Sequence, residues 1–268
     1  MTPPKHIFRQ YDIRGIVGQD LDARIAEDVG RAFGSHAREA TGLAKPRVAV
    51  GYDNRLTSPE LSEGLIRGLC ASGADVLSVG CVPTPVLYWS EVTFGTDASV
   101  QITGSHNPPE WNGIKMTVRR ASLYGDAILD LHRRIVEADF TTGQGSVHTE
   151  EVLDRYVADV AGRFRLARPV KVAVDAGNGT GALIAEKLMK ALGAEVTPLF
   201  CDSDGTFPNH HPDPTVDHNL EDLIAAVREG GLELGVAFDG DADRIGAVDE
   251  HGTIVRGDIL LLLYGLDL

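Results

Sequence analysis

The sequence contains an internal repeat, and this repeat restricts the fold more than any other feature of the chain. A short apolar segment with a basic first residue occurs at Arg47–Gly51 and again at Lys171–Asp175. Each is typical of a buried strand, and each is followed by a polar loop and a helical stretch. Both helical stretches end in a Gly-Ala-acid-Val phrase, at 73–76 and 193–196. The helices are predicted near Pro59–Ala71 and Ala182–Leu192.

The repeat continues beyond these phrases, because each copy has another apolar strand that ends at a glycine and then one more strand. These pairs lie at 98–103 with 114–118 and at 234–239 with 245–249. Alternating strands and helices predict parallel pairing with right-handed crossovers. We therefore predict an α/β fold with two tandem copies of a mixed, mostly parallel sheet flanked by helices. Because ligand-binding loops leave the carboxyl ends of such strands, the loops 104–111 and 240–244 are equivalent candidates for one shared site.

The boundary between the copies is predicted near residues 145–155, where the composition is that of a turn. This gives one α/β domain over 1–150 and a second over 151–254. Residues 255–268 begin a third unit with an apolar helix over Gly257–Leu268, which has no partner in the sequence. We therefore expect a fragment of a longer protein, without its C-terminal domains and prone to self-association.

Composition excludes several classes of partner. With 25 Lys and Arg against 39 Asp and Glu, the net charge is −14, which disfavours nucleic acids and anionic membrane surfaces.

Cys70, Cys81 and Cys201 form no CxxC pair, so neither a disulfide framework nor a zinc site is expected. The first residues contain no signal-peptide core, and the longest apolar stretch, Ile259–Tyr264, is too short to span a bilayer. We expect a cytoplasmic location.

The segment Thr103–Lys115 is a candidate nucleophile loop. Gly104 permits an unusual backbone angle just after a strand, and a pair of prolines stiffens the exit, so the Ser105 hydroxyl is expected to be presented rather than buried. A serine nucleophile needs a base, a cation or a metal beside it, and His106 and Lys115 are candidates. The alternative is that these residues form an ordinary turn.

The segment 239–244 is a candidate metal loop. In an extended loop alternate side chains share one side, which gathers the carboxylates of Asp239, Asp241 and Asp243. Three such charges repel one another unless a cation lies among them, and oxygen ligands without His or Cys favour Mg²⁺ or Ca²⁺ over zinc. The alternative is a solvated acidic turn.

Three further segments give weaker signals. Arg9 and Arg14 flank an aromatic residue near the N-terminus, where guanidinium groups suit phosphate, but an amphipathic strand is equally consistent. The glycine-rich segment 175–181 lacks the spacing of a phosphate loop and favours a tight strand-to-helix turn. The segment 210–212 is interpreted as structural, because its adjacent histidines lack the helical spacing of a metal pair.

Together these segments resemble the α-D-phosphohexomutases, in particular the phosphomannomutase/phosphoglucomutase group. The resemblance runs from about Phe8 to the end of the chain and rests on five motifs in one order. These motifs are FRQYDIRG at 8–15, GYDNRLTSPEL at 51–61, TGSHNPPEWNGIK at 103–115, DAGNGTG at 175–181 and DGDADR at 239–244. The family has four domains, three of similar α/β topology, so the resemblance implies the first two domains and the start of the third.

The resemblance also implies a role for individual residues. Ser105 is implied to be the phosphoserine, and the expected catalytic residues are Ser105, His106, Lys115 and Arg14. The expected substrate contacts are Tyr11, Arg14 and Arg244, the last of which would lie beside the metal loop. The expected ligands of Mg²⁺ are Asp239, Asp241, Asp243 and an oxygen of phosphorylated Ser105.

The reaction implied by the resemblance interconverts hexose 1-phosphate and hexose 6-phosphate, with mannose or glucose as the hexose. A phosphoserine donates its phosphoryl group to give a hexose 1,6-bisphosphate, which also serves as activator and returns its other phosphate to the serine. Because the family's sugar-selecting and phosphate-clamping domains have no counterpart here, little turnover is expected of this chain. Two alternatives stay open: a Mg²⁺-dependent sugar phosphatase with an aspartyl nucleophile, and a non-catalytic sugar-phosphate-binding module.

Overall fold

A computed structural model describes residues 2–267 and divides the chain into two compact units. Unit 1 ends at Val152 and unit 2 begins at Leu153. Each unit has its own sheet with helices packed against it. Among the residues described, no helix combines the length and the apolar character needed to cross a membrane.

The described residues of unit 1 form a mixed sheet and four α-helices. Its strands are β1 (Ile13–Ile16), β2 (Arg47–Tyr52), β3 (Asp75–Cys81), β4 (Ala98–Ile102), β5 (Trp111–Val118), β6 (Ala121–Ser122) and β7 (Val147–Thr149). Its helices are α1 (Ala23–Thr41), α2 (Ser58–Ser72), α3 (Thr84–Thr93) and α4 (Asp126–Glu137). The strand order is β1-β5-β4-β2-β3-β7, and β6 pairs with β5. A core of buried apolar residues from α1, α2, α4 and the central strands fills the unit.

Unit 2 is smaller and repeats the same plan. Its strands are β8 (Lys171–Asp175), β9 (Glu195–Leu199), β10 (Leu234–Phe238), β11 (Ile245–Asp249) and β12 (Ile254–Val255). Its helices are α5 (Leu153–Arg163), α6 (Ala185–Ala191), α7 (Glu221–Gly230) and α8 (Gly257–Asp267), with 3₁₀ turns at Thr180–Leu183 and Asp217–Leu220. The strand order is β12-β11-β10-β8-β9. Small apolar clusters lie on the two faces of this sheet.

The repeat predicted from the sequence is present in the sheet topology. Strands β5-β4-β2-β3 of unit 1 and β11-β10-β8-β9 of unit 2 share one order, with an antiparallel pair followed by two parallel pairs. The predicted mixed α/β sheet is confirmed, although antiparallel strands at one edge take a larger share than strand-helix alternation indicates. In chain order, the first and third strands of the repeat are β2 and β4 in unit 1 and β8 and β10 in unit 2. The two strands of each pair are parallel neighbours, so the loops that follow them lie at the same edge of the sheet.

The last helix of the described chain exposes most of its apolar surface. Leu261 is 72% exposed and Leu266 is 76% exposed. The apolar helix predicted over Gly257–Leu268 is observed as α8, and Leu268 lies outside the described residues. The start of a third domain at this helix stays a prediction.

The hairpin between β5 and β6 contains strained backbone, which gives a first prediction. Val118 pairs with Ala121, so Arg119 and Arg120 form a two-residue turn, with φ of +51° and +65°. Such turns favour glycine because a Cβ disfavours left-handed backbone. We expect Arg120→Gly to raise the free energy of unfolding of unit 1 by about 0.5–1 kcal/mol. Urea denaturation measures it.

The matched control is Arg120→Ala, which removes the charged side chain but retains the Cβ. The strain should then persist, so no comparable gain is expected from this variant. Equal gains in Arg120→Gly and Arg120→Ala would show that side-chain charge, rather than backbone strain, limits stability at the turn.

Candidate active site

Ser105 lies in the loop that joins β4 to β5. Its φ is +52°, and the residue is only 1% exposed. Its amide donates to Thr103 Oγ1 at 2.8 Å, and its Oγ lies 3.3 Å from His106 Nδ1. The expectation of a presented hydroxyl is therefore wrong, because the left-handed turn folds Ser105 inward at the end of the sheet and places it beside an imidazole.

Gly104 is required for space rather than for backbone freedom. The left-handed backbone of this loop occurs at Ser105 and not at Gly104. A Cβ at position 104 would overlap the guanidinium group of Arg55, which packs directly against this backbone. The sequence identified the correct glycine, but the reason is a packing contact between segments about 50 residues apart.

The Ser105 loop is held by the buried side chain of Arg55, which lies within the 51–61 motif but was not among the candidate site residues. Arg55 Nη1 donates to the carbonyls of Pro108 and Trp111, at 2.6 and 3.1 Å. Its Nη2 donates to the carbonyls of Ser105 and Asn107, at 2.9 and 2.7 Å. One planar guanidinium thus binds four carbonyl oxygens and fixes the path of the loop.

Asp53 completes this support. Its Oδ2 accepts hydrogen bonds from Arg55 Nε at 3.1 Å and from the Gly104 amide at 2.9 Å, and its Oδ1 accepts from Ser58 Oγ at 2.5 Å. Both Asp53 and Arg55 are almost completely buried. One signal could have found the pair: two opposite charges directly follow β2, at the sheet edge from which the Ser105 loop also leaves.

The other candidates of unit 1 differ in their surroundings. Arg14 is buried, and it donates from Nε to Asp12 Oδ2 at 2.7 Å and from Nη1 to the Thr103 carbonyl at 2.6 Å. Arg14 therefore contacts the strand end that precedes Ser105. Lys115 is half-buried on β5, in register with a residue of β4. Tyr11 is 74% exposed, so the structure leaves this predicted substrate contact in solvent.

In unit 2 the structure brings the three predicted carboxylates together. Asp239, Asp241 and Asp243 each offer an oxygen, and these oxygens lie within 4.8 Å of one another. Asp239 and Asp241 are fully buried, whereas Asp243 is exposed. Oxygen-only ligands, two of them in a buried position, suit a hard divalent cation such as Mg²⁺. The donor set fits the expected metal.

The metal loop is a turn rather than the extended segment that was predicted. Ala242 has φ of +57°, and its amide donates to the Asp239 carbonyl at 2.9 Å. Asp239 Oδ1 accepts from the amides of Asp243 and Arg244, each at 3.0 Å. The turn, and not strand alternation, is what directs the carboxylates to one place. Arg244 follows the turn directly and is exposed.

The cysteines are unsuited to nucleophilic chemistry. Cys70, Cys81 and Cys201 are free thiols. Burial raises the pKa of Cys81 to about 12 and that of Cys201 to about 11. Because the thiolate is the reactive form, these side chains are inert near neutral pH.

A histidine-aspartate pair lies at the end of β8, with Asp175 buried and His210 partly exposed. His210 Nε2 is 2.9 Å from Asp175 Oδ2, and His210 Nδ1 is 2.9 Å from the carbonyl oxygen of His211. Burial lowers the pKa of His210, but the hydrogen bonds and the charge of Asp175 outweigh it, so the pKa is raised overall. With an acceptor at each ring nitrogen, the imidazolium form is favoured.

This arrangement gives a prediction about pH. Because the pKa of His210 is raised in the folded state, its stabilising effect is complete below the ordinary value of 6.5 and is lost as pH rises through the folded pKa. We therefore expect His210→Gln to destabilise unit 2 most below pH 6.5, with a smaller difference from wild type at pH 9. Urea denaturation at several pH values measures this.

The control is His218→Gln, which makes the same change at an exposed histidine of unit 2 and leaves Asp175 untouched. We expect it to stay within about 0.5 kcal/mol of wild type throughout. A constant deficit of His210→Gln at all pH values would contradict the assigned charge state.

Comparison with known proteins identifies relatives over nearly the whole chain. Residues 5–141 match the model of phosphoglucomutase/phosphomannomutase α/β/α domain I, and residues 137–252 match that of domain II. A phosphomannomutase/phosphoglucomutase of Pseudomonas putida is 47% identical over 264 residues, covering 98% of this chain and 56% of the relative. A phosphoglucomutase of Neisseria meningitidis is 48% identical over 265 residues, covering 98% of this chain and 57% of the relative.

A solved structure agrees with these sequence matches. A phosphoglucomutase/phosphomannomutase family protein of Burkholderia thailandensis superposes with a TM-score of 0.94 at 47% identity, covering 99% of this chain and 59% of the other. The chain thus spans somewhat more than half the length of the relatives it matches. Since the domain I model alone matches half of the chain, and that of domain II follows it, the protein belongs to the phosphoglucomutase/phosphomannomutase family.

Proposed function

We propose that the protein is a phosphohexomutase that interconverts hexose 1-phosphate and hexose 6-phosphate, with mannose or glucose as the hexose. The observation that carries the proposal is the buried Ser105 hydroxyl, 3.3 Å from His106 Nδ1 on a loop fixed by Arg55. Relatives that share nearly half of its residues are named phosphomannomutase/phosphoglucomutase or phosphoglucomutase.

In the proposed reaction, phosphorylated Ser105 donates its phosphoryl group to a sugar hydroxyl. The oxygen of that hydroxyl forms the new bond to phosphorus while the bond from phosphorus to Ser105 Oγ breaks. The sugar hydroxyl loses a proton and Ser105 Oγ gains one, and His106, whose Nδ1 lies 3.3 Å from Oγ, is placed to carry it. The hexose 1,6-bisphosphate then gives its other phosphate back to Ser105 by the reverse steps.

Phosphoryl transfer depends mainly on positioning and charge neutralisation. We propose that Arg14 positions the strand end before Ser105, and that Lys115 and Arg244 provide positive charge for the phosphates. Tyr11 is proposed as an exposed sugar contact. Of these side chains, Arg14 is buried, Lys115 is half-buried, and Tyr11 and Arg244 are exposed.

Mg²⁺ is the proposed metal of unit 2, held by Asp239, Asp241 and Asp243, with an oxygen of phosphorylated Ser105 as a further ligand. A metal bound there would neutralise charge on the transferring group. Unit 1 would then be the phosphoserine-bearing domain, unit 2 the metal-binding domain, and residues 255–268 the start of a third. For the 268 residues alone, which span about 56% of a relative, we propose phosphate exchange with little turnover.

The proposal is tested by detecting the phosphoenzyme. After incubation with glucose 1,6-bisphosphate and Mg²⁺, intact-mass analysis should show one added phosphate per chain. Phosphoserine survives acid and hydroxylamine, so the label should persist under both treatments, and peptide mass spectrometry should place it on Ser105.

Each alternative function gives a different result in this experiment. A phosphatase with an aspartyl nucleophile forms an acyl phosphate, which hydroxylamine cleaves, and a binding module takes up no covalent phosphate. A hydroxylamine-sensitive label, a label on another residue or the absence of label would each reject the phosphoserine mechanism.

A further inference from the structure

The glycine-rich segment 175–181 has no part in the proposed chemistry, yet it lies directly against the metal loop. Thr180 donates to the Gly240 carbonyl twice, from its amide at 2.9 Å and from Oγ1 at 3.2 Å. Gly240 stands between the two buried carboxylates, Asp239 and Asp241. The position of this one carbonyl therefore constrains the backbone from which both carboxylates extend.

The approach of the two segments is too close for a side chain at Gly179. A Cβ built at this position would lie 2.7 Å from the Gly240 carbonyl oxygen and 3.0 Å from its Cα. Both neighbouring atoms are backbone atoms, so the overlap could be relieved only by moving the metal loop. Gly179 thus permits the contact that Thr180 then fixes.

The other end of the segment is anchored by buried polar groups. Asp175 Oδ1 accepts from the Gly177 amide at 2.8 Å, while Asp175 Oδ2 bonds to His210 Nε2 at 2.9 Å. Asn178, with φ of +57°, donates from its amide to the Phe200 carbonyl at 2.9 Å. A loop held at this many points can transmit its position to the metal loop.

We propose that Gly179 and Thr180, anchored through Asp175 to His210, are positioning residues that set the metal-loop backbone for cation binding. The proposal rests on the proposed Mg²⁺ site and deepens it. Unit 1 has a comparable hydrogen bond between the equivalent loops, because Asp53, after β2, accepts from the amide of Gly104, after β4. In both units the loop after the first strand of the repeat supports the loop after the third.

The first test measures Mg²⁺ affinity of the full chain by titration calorimetry. We expect Thr180→Val to weaken binding about fivefold, which corresponds to one neutral hydrogen bond. Thr180→Ser retains the hydroxyl and should stay within about twofold of wild type. Thr197→Val, the same change at an exposed site on β9, is the matched control and should also bind normally.

A second pair of variants tests the close approach. Gly179→Ala should weaken Mg²⁺ binding more than Thr180→Val does, because the new methyl group displaces the Gly240 backbone. Gly162→Ala is its control, since a Cβ at that position meets no atom within 4 Å. Wild-type affinity in both Gly179→Ala and Thr180→Val would overturn the proposal.

Hydrogen exchange of the metal-free chain separates this proposal from the metal site itself. The amides of Asp243 and Arg244, which donate to Asp239 Oδ1, should exchange faster in Thr180→Val, Gly179→Ala and His210→Ala, while amides of β10 keep wild-type protection. If wild type binds no Mg²⁺, the metal site is rejected and exchange alone decides the positioning role. Unchanged exchange at both amides, or equal acceleration throughout unit 2, would reject that role.

Discussion

Replacing Arg55 with methionine is expected to slow phosphate transfer to Ser105 on the order of 10²-fold and to destabilise unit 1 by about 3–5 kcal/mol. The variant removes the donors for four carbonyls of the Ser105 loop and leaves Asp53 as an uncompensated buried charge. Breaking a buried pair on one side is far more costly than removing both partners.

The effect on transfer follows from position rather than from chemistry. Arg55 binds the Ser105 carbonyl at 2.9 Å, and without it the left-handed turn that places Oγ near His106 has lost its support. Misplacement of a reacting atom by about 1 Å can cost on the order of 10²-fold in rate. Phosphate incorporation from glucose 1,6-bisphosphate, followed by mass spectrometry, measures this loss, with Ser105→Ala as the zero level.

Two further variants keep this prediction decisive if Arg55→Met folds poorly. Arg55→Lys retains a buried positive charge for Asp53 but cannot donate to four carbonyls in the arginine geometry. It should therefore keep more stability than Arg55→Met while transfer stays strongly impaired. Arg67→Met makes the same change at an exposed ion pair of α2 and should cost at most about 1 kcal/mol. Wild-type transfer in Arg55→Lys would contradict the positioning role.

The sequence predicted the strands of the repeat because their signals are local. Apolar runs ended by glycine or aspartate determine β8 and β11, whose observed bounds equal the predicted ones. The second predicted helix was less accurate, since Thr180–Leu183 forms a 3₁₀ turn before α6 begins at Ala185. Thr180 and Gly240 are 60 residues apart in sequence, so no local sequence pattern contains their contact.

The clustering of the carboxylates was predictable from the sequence, the packing of the site was not, and the chemical roles of its residues stay predictions. The loop composition indicated Ser105 as a nucleophile, and the acid spacing indicated Asp239, Asp241 and Asp243, which the structure brings together. The burial of Ser105 and the role of Arg55 depend on bonds across 50 residues of chain. Such hydrogen bonds depend on the order of strands in the sheet. In a single sequence the only sign of that order is the repeat.

Asp241→Asn is expected to weaken Mg²⁺ binding by more than the roughly 10–100-fold that loss of an outer-shell partner costs. The substitution keeps the size of the side chain and removes one of three negative charges that would hold the cation. Asp241 is the best of the three for this purpose. Asp239 also accepts the amides that shape the turn, and Asp243 is exposed and easily compensated by solvent.

The same variant should have the opposite effect on the metal-free protein. Three carboxylate oxygens within 4.8 Å repel one another when no cation is present, and two of these groups are fully buried. Removing one charge relieves that repulsion, so metal-free Asp241→Asn should unfold at a higher urea concentration than wild type. A site built for a cation shows this exchange of stability for affinity, whereas a solvated acidic turn shows neither effect.

Titration calorimetry with Mg²⁺ and urea denaturation without it measure the two effects in the same preparations. Asp202→Asn, at an exposed position of unit 2 outside the carboxylate group, is the matched control and should change neither quantity. If Asp241→Asn bound Mg²⁺ as wild type does, or lost no more affinity than Asp202→Asn, the three carboxylates would not form one site. A loss of affinity together with a gain of metal-free stability is the result that a shared cation site requires, because both follow from the same concentrated negative charge.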